Sequence, residues 1–517
     1  MNGKAWTVNP SLLGLLLLAL GAPCAFGAEV EPPRAETGPE MSPEARVIGD
    51  PDHPDPPAEG SFGPDPVYEG EEERYDAEAQ LAIYGGKHLN PTAKPPISLG
   101  RRLYDRGAYE PRPTWLGAKN PINAHFMAYG DLRVAVALYD NGVAAANGKT
   151  EQSVVATRLN LDMDLALTAT ERLHAFVRPL DKNGSFTRYQ ISGGVEDEFV
   201  DEFDFDLDTL YFEGDLGAMS QGWTGRPSSL DLPIAVGRVP LFTQNGIWLD
   251  DGVDGLAFGI TAKNSPALDV SNFDLTFFAG FNQVTTAAVP DSDDNAKVFG
   301  LAGFVDAREG YGELGYGYVD ADDNDLSYHN LTAAFTKRYG GRVANSVRLI
   351  GNFGQSATTK TADGLVVLLE NSLIPRRPLN AISSPINFVP YFNLFAGFDT
   401  PQVLARTAGT GGVLKNTGIN FESDGLTDYP TLDDGANESF GGALGAEYLF
   451  NLDRQIVLEG ALVERMGDSA LGSQYALGAR YQHPISNAWI VRFDVMHGWR
   501  QGLEDVSGVR LELRRKL

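Results

Sequence analysis

The reading of the fold turns on four neighbouring pieces: Leu232-Pro-Ile-Ala-Val-Gly-Arg238, Gln244-Asn-Gly-Ile-Trp-Leu-Asp-Asp251, Gly255-Leu-Ala-Phe-Gly-Ile-Thr261 and Asn272-Phe-Asp-Leu-Thr-Phe-Phe-Ala-Gly-Phe281. Three are apolar β-forming runs. The second is a polar connection, and Lys263-Asn-Ser-Pro266 supplies a turn between the last two runs. Short β-runs punctuated by Gly, Asn, Asp and Pro predict antiparallel sheet. In the last run Phe273, Leu275, Phe277, Ala279 and Phe281 share one face. Asn272, Asp274, Thr276 and Asn282 share the other, and Phe278 breaks that polar face. Alternation has a period of two, so it defines an apolar face without saying whether a protein core or lipid meets it.

The same pattern runs outward in both directions. Phe126, Ala128, Gly130, Leu132, Val134, Val136 and Leu138 alternate with polar residues, as do Val155, Thr157, Leu159, Leu161, Met163, Leu165 and Leu167. Further runs cover 297–306, 311–320, 326–338, 342–353, 439–450, 455–465, 473–482, 488–499 and 509–517. A tilted strand needs about 9–11 residues to cross the hydrocarbon, and these runs match that length. A soluble sandwich alternates too, but its strands are shorter. The expectation is an all-β fold: a single transmembrane antiparallel β-barrel of about 16–20 strands over residues 121–517. Tight turns such as Tyr339-Gly-Gly-Arg342 contrast with the long segment 400–438, which is expected on the extracellular side. The final run Val509-Arg-Leu-Glu-Leu-Arg-Arg-Lys-Leu517 alternates up to an apolar last residue, the form of signal that barrel-assembly machinery reads.

The N-terminus supports export. Lys4 precedes the apolar run Leu12–Ala19, and Ala25-Phe-Gly27 offers small residues for cleavage, so 1–27 reads as a signal peptide. A lipoprotein site at Cys24 is the rival, disfavoured by Pro23 before it. Cys24 is the only cysteine, which excludes a disulfide framework and a cysteine-bound metal in the exported chain. Residues 28–76 are rich in Pro, Glu, Asp and Gly and read as a disordered periplasmic leader. Residues 77–120, with Arg101, Arg102 and Tyr109, read as a plug, a rim or a first strand.

Composition narrows the function. The formal charge is −28 over 517 residues, the wrong sign for a nucleic-acid binder. There is no Gly-x-Ser-x-Gly, no His-Glu-x-x-His and no Cys-x-x-Cys-His, and the seven His are scattered, so neither an enzyme nor a haem-bearing chain is expected. No cofactor is expected beyond Ca²⁺ in two acidic loops. Asp291, Asp293 and Asn295, and Asp320, Asp322 and Asn324, place oxygen ligands at alternate positions as Ca²⁺ requires, without the Gly and distal Glu of a complete loop. Solvated acidic loops at a lipopolysaccharide surface are the plainer reading.

With the apolar face in lipid, the polar face lines a lumen. An Arg or Lys facing lipid near the midplane costs about 2–4 kcal/mol, so the strand charges belong inside. The expected solute path comprises Arg158, Arg172, Arg178, Arg348, Arg480, Arg492, Asp162, Asp164, Glu213, Glu459 and Asp494, with Arg510 and Glu512 beside them. Such a set serves either a charged path or an ion-pair network that stiffens the wall.

Gly237-Arg-Val-Pro240 followed by Asn245-Gly-Ile-Trp-Leu-Asp-Asp251 resembles the alginate-export type of outer-membrane channel over about fifty residues. That resemblance implies a monomeric barrel of this size passing an anionic polysaccharide outward, and it adds Arg238 to the lumen set. The expected function is a porin-like outer-membrane channel for polar or charged solutes in a Gram-negative bacterium. Two alternatives remain: a structural barrel sheathing a periplasmic partner such as a multihaem cytochrome, docked through the leader, and an importer of apolar solutes, which needs a lateral opening. Outer-membrane lipid, lipopolysaccharide and the barrel-assembly machinery are the expected partners.

Overall fold

The computed structural model describes residues 95–100, 124–145, 148–182, 184–193, 198–373, 387–422, 425–450, 454–467, 472–486 and 488–517. The signal peptide, the leader and most of 77–120 lie outside these residues. Within them runs one antiparallel sheet that closes on itself as an 18-strand barrel. Its strands are β1 (His125–Asp140), β2 (Glu151–Ala166), β3 (Arg172–Val177), β4 (Leu207–Asp215), β5 (Pro233–Thr243) and β6 (Leu249–Ser265). Then come β7 (Val270–Asn282), β8 (Ala296–Ala307), β9 (Gly310–Ala321), β10 (Tyr328–Tyr339), β11 (Val343–Phe353) and β12 (Asp363–Leu373). The last six are β13 (Asn387–Thr400), β14 (Ser439–Leu449), β15 (Gln455–Arg465), β16 (Gln474–Pro484), β17 (Trp489–Arg500) and β18 (Val506–Lys516). β18 pairs back onto β1 from Asp131↔Lys516 to Asp140↔Ser507, so the sheet has no free side edge there. Closure of this kind pairs the backbone groups of the β18–β1 seam in lipid. Ile97–Gly100 adds a short strand to the start of β1.

The outward face is the apolar one. Phe335, Val347, Leu349, Leu365, Phe392, Leu394, Leu444, Leu458, Leu477, Phe493 and Val495 are all exposed on it. In water such a surface would be an aggregation hazard; in a bilayer it is the anchor. Aromatic groups mark both margins. Tyr316, Tyr318, His329 and Phe353 stack on one side, with Tyr316 Oη 2.9 Å from His329 Nδ1. Tyr339, Phe388, Tyr448 and Trp489 mark the other, where Arg515 lies over the Trp489 ring. These are the interfacial girdles of an outer-membrane barrel.

The connections fall into two sets. After even-numbered strands the chain turns quickly at 266–269, 308–309 and 340–342, and the C-terminus ends on this side. Gly340 and Gly341 both have positive φ, as a two-residue hairpin turn on right-twisted strands demands. Among the described residues the connection from β4 to β5 on this side carries α1 (Leu216–Thr224), capped by Asp215 at its start and Gly225 at its end. After odd-numbered strands come 178–206, 283–295 and 401–438. Short periplasmic turns and long extracellular loops fix the orientation. The chain is an outer-membrane β-barrel.

Candidate functional site

The long extracellular segment 401–438 does not stand above the barrel. It runs down into the interior and is tied there by polar groups. Leu404 sits on Gly317, where a side chain would collide with it, and Gln402 N–H donates to Asn352 Oδ1 at 2.8 Å. Asn393 Nδ2 donates to Thr417 O at 2.6 Å. Glu459 is the densest anchor. Its buried carboxylate accepts from Ile419 N at 3.0 Å, Asn420 N at 2.9 Å, Asn420 Nδ2 at 2.8 Å and Tyr391 Oη at 2.5 Å. Further on, Tyr429 Oη donates to Gly508 O at 3.1 Å, and Asp433 pairs with Arg465.

A second piece enters from the side. β5 pairs with β4 only from Pro233 to Arg238, and β6 pairs with β7 no further than Asp254. Above that level the β5–β6 hairpin pairs only within itself and, at its tip, with Ala405 and Arg406. The tip reaches the inner wall of β9–β11. Trp248 is fully buried there, donates from Nε1 to Asn330 Oδ1 at 2.7 Å, and lies over Gly315. Gln244 Oε1 accepts from Thr332 Oγ1 at 3.0 Å and from Arg348. Phe278, the exception in the alternation of β7, points inward and meets Trp248 edge-on with ring centroids 6.2 Å apart. Its face is polar elsewhere because water or charge meets it, and apolar at this one position because the hairpin covers it. Val239, Val253, Val298, Val319, Leu404 and Leu414 complete this interior core.

Arg406 locks the two pieces together. Its guanidinium donates to Gly246 O at 2.7 Å, Ile247 O at 3.0 Å, Gly411 O at 3.2 Å and Gly412 O. Burial pushes its pKa down, and the charges of Asp250 and Asp434 only partly offset the lost hydration. Burial, then the Arg406 charge, pushes Lys415 down as well.

The remaining wall, from β15 around to β4, is a charged ribbon. Direct cross-strand rows alternate in sign: Arg480, Asp494 and Arg510 face one another in one row, and Gln482, Arg492 and Glu512 in the next. Arg480 reaches Asp494 at 2.7 Å and Glu422 of the infolded segment at 2.5 Å. Arg492 reaches Asp494 at 2.8 Å and Glu422 at 3.6 Å. On β1 Asp131 holds Arg133 at 3.0 Å, and across the closing seam it holds Arg514 of β18 at 3.1 Å. Arg172 lies 3.7 Å from Asp164 and 3.8 Å from Glu213, and its side chain is 45% exposed. Opposite-sign neighbours on adjacent strands cancel locally and leave the half-exposed members free to meet a solute.

The structure thus places the expected path residues in three settings. Arg480, Arg492, Asp494, Arg172, Asp164 and Glu213 lie on the ribbon, as does Asp162 one turn of the pleat from Asp164. Arg158, on the same strand, donates to Asn160 Oδ1 at 3.0 Å and covers the Phe186 ring. Arg348 and Glu459 anchor infolded segments, and Arg348 also pairs with Glu313 at 3.2 Å. Arg178 and Arg238 sit beside the hairpin's exit from the wall: Arg178 pairs with Asp208 at 2.5 Å and Asp181 at 2.7 Å, Arg238 with Asp254 at 2.8 Å. Arg406, Glu422, Asn420 and Tyr391 were missed. The first three lie in an irregular segment with no period, so no sequence pattern marked them.

The two acidic triplets of the calcium expectation lie at extracellular connections. Asp291 heads the helical turn Ser292–Asn295, whose Asn295 Nδ2 faces Pro290 O at 3.4 Å. Asp320 closes β9 opposite Lys297, and Asn324 opens a separate 3₁₀ turn before Leu326. The first triplet lies within that one helical turn, and the second is divided between strand and turn. Among the described residues no group of three or more His, Cys, Asp or Glu side chains is arranged to hold a metal ion.

No family profile and no curated protein matches this chain. Solved structures with a similar course of the chain include OccK5 (OpdH) of Pseudomonas aeruginosa, at 11% identity and a TM-score of 0.48, over 76% of this chain and 98% of that one. OpdK with vanillate, from the same organism, gives 12% identity and a TM-score of 0.46, over 75% and 98%. OccK2 (OpdF) in complex with glucuronate gives 12% and 0.45, over 75% and 98%.

Proposed function

We propose that the chain is a narrow, passive outer-membrane channel for small polar or charged solutes. The observation that carries this reading is the charged ribbon on β15–β4, which packs against Glu422 of the infolded segment on β16 and β17 and leaves Arg172 and Glu213 half-exposed. Beside that segment Tyr391, Asn393, Lys415, Ile419, Glu422 and Glu447 line an open chamber of about 340 Å³. A chamber of that size suits one small molecule. The ribbon mixes signs at neighbouring positions, so it favours solutes bearing either charge, or both, over a polyanion drawn outward. That moves the reading away from polysaccharide export. Assembly belongs to the same proposal: β18 presents the alternating Leu511 and Leu513 at the closing seam, where barrel-assembly machinery would read it.

Planar-bilayer conductance tests the proposal. The purified protein is expected to give small, steady unitary currents, and removing the tip of 401–438 is expected to enlarge them. A folded barrel silent in both forms overturns the channel reading.

A further inference from the structure

The side wall is incomplete between β2 and β7. β3 has six residues and β5 stays paired to β4 only over Pro233–Arg238. A tilted strand needs about 9–11 residues to cross the hydrocarbon, so the wall here ends partway up. Part of the missing height is restored next to β2. Arg188–Ser192 pairs with β2, and Glu198–Val200 pairs with Arg188–Gln190. Beyond Glu198–Val200 the ladder stops. Among the described residues no backbone hydrogen bond joins 198–206 to Val239–Thr243. Pro240, which has no N–H to offer another strand, lies in that free stretch, as prolines do at sheet edges.

What lines this notch is apolar. Phe199, Phe203 and Phe205 are 57, 54 and 75% exposed, and Phe242 on the departing hairpin is 62% exposed. Tyr189 stands opposite Phe199 in the same ladder. Below them Leu210, Phe212 and Val236 continue down the lipid-facing surface. The patch is therefore continuous with the belt that meets acyl chains. Polar groups wait at the foot of the notch: the Arg238–Asp254 pair, whose Arg238 stands opposite Leu210 and also donates to Leu207 O at 2.8 Å, and the Arg178–Asp208 pair.

We propose that the notch is a side entrance that admits the alkyl chain of an amphiphile from the outer leaflet, with its polar end meeting the Arg238–Asp254 and Arg178–Asp208 pairs. Irregular backbone is tolerated at membrane depth only where protein or a cavity covers it, and here the phenyl rings and an entering chain provide that cover. This entrance does not depend on the conducting path along the ribbon.

Nitroxide labelling tests it. In a Cys24→Ser background, single labels at Phe203→Cys, Phe205→Cys and Phe242→Cys are compared in liposomes with Phe493→Cys on the lipid face and Arg172→Cys on the ribbon. Oxygen collides with labels in the acyl region and a water-soluble nickel chelate with labels in water. The expected result is an oxygen-to-nickel ratio at all three positions several-fold above that at Arg172→Cys and close to that at Phe493→Cys. A nickel-dominated label at Phe242→Cys makes the hairpin face aqueous lumen and overturns the entrance. A nickel-dominated label at Phe203→Cys or Phe205→Cys places the phenyl ribbon above the membrane and overturns it equally. Because all four phenyl side chains named are exposed, the substitutions leave the packed wall intact. Unitary conductance on the same labelled proteins separates failure of this entrance from failure of the channel reading.

Discussion

The inner walls of the two sides of this barrel differ in kind. On β7–β11 the inward positions include Phe278, Val298, Gly315, Gly317, Val319 and Ile350, with Asn330, Thr332 and Arg348 among them, and infolded chain lies on them. On β15–β18 and β1 the inward positions are Glu459, Arg480, Asp494, Arg510, Glu512 and Arg133, compensated in pairs. Both sides obey the same period of two, and both present the same apolar face to lipid. Lipid demands one chemistry everywhere, so the outward face is uniform. The inward face takes its chemistry from whatever covers it. The glycines of β9 and the indole of Trp248 form one fitted contact; the charged rows form another with Glu422 and Asn420.

The largest effect is expected on the apolar side. Trp248→Ala leaves a large cavity beside Gly315 and an unpaired Asn330 Oδ1, a loss of about 3–5 kcal/mol by the usual cost of truncating a buried aromatic. The hairpin tip then loses its seat. A lower midpoint in heat-dependent migration on gels, together with a wider and noisier channel, is the expected outcome. An unchanged midpoint would show that the wall alone carries the stability and that the infolded core adds little.

Glu459→Ala asks the same of the polar side. It orphans Ile419 N, Asn420 N and the Tyr391 hydroxyl at once. Hydrogen bonds to a charged acceptor contribute about 1.5–3 kcal/mol each, with part regained from water entering a lumen. Segment 401–438 is expected to detach while the barrel stays closed: protease cuts appear within 401–438, and conductance rises without a change in the gel midpoint. If the midpoint falls as far as in Trp248→Ala, the two sides are energetically alike and the contrast drawn above fails.

How much of this the residues announced follows the same divide. The strands from Lys297 to Phe353 and from Ser439 to Trp499 were legible almost to the residue, because lipid enforces the period on every one of them. Phe278 was legible as an anomaly and not as a contact, since its partner Trp248 is thirty residues away on a hairpin that leaves the wall. The one local sign of the departure is Pro240, which marks Val239–Thr243 as an edge stretch without saying where the hairpin goes. The paired charges of the ribbon could be named but not matched, because matching needs the register between strands. Glu422 and Arg406 lie where the chain has no repeating geometry, so their roles appear only with the fold. The leader and the signal peptide fall outside the described residues.

Smaller effects are expected from the ribbon. Arg480→Ala removes a cation shared by Asp494 and Glu422 and leaves two carboxylates facing one another across Arg492. The reversal potential in a salt gradient is expected to move toward cation selectivity. Arg172→Ala, at a half-exposed position, is expected to shift selectivity in the same sense with a stability change of about 0–1 kcal/mol, as solvent-screened pairs give. If Arg172→Ala changes the gel midpoint and leaves selectivity alone, the ribbon is a brace for the wall and not a path.

The smallest effect tests how firmly the infolded segment is seated. Asp434 lies outside the spanning strands, and burial raises its pKa above the ordinary carboxylate range; neighbouring Asp433 pushes the same way, while the Gly412 N–H and Arg406 pull it back. When 401–438 is detached this carboxyl returns to its ordinary value. The docked form therefore holds its proton more tightly than the detached form, and docking takes up a proton as pH falls through the raised value. The contribution is complete once pH lies below the ordinary carboxylate range and is lost as pH rises past the raised one. Mild acidification is thus expected to slow protease cutting within 401–438 and to reduce the noise of the open channel, and Asp434→Asn is expected to hold the slow-cutting behaviour at neutral pH. The neighbouring Asp428 acts in the same sense, because burial raises its pKa by more than its partner Arg188, 3.4 Å away, lowers it. Measuring the profile in an Asp428→Asn background separates the two. A profile there that loosens with acid would mean that Asp434 is not what seats the segment, and that its hold on the polar side rests on Glu459 and the arginine rows alone.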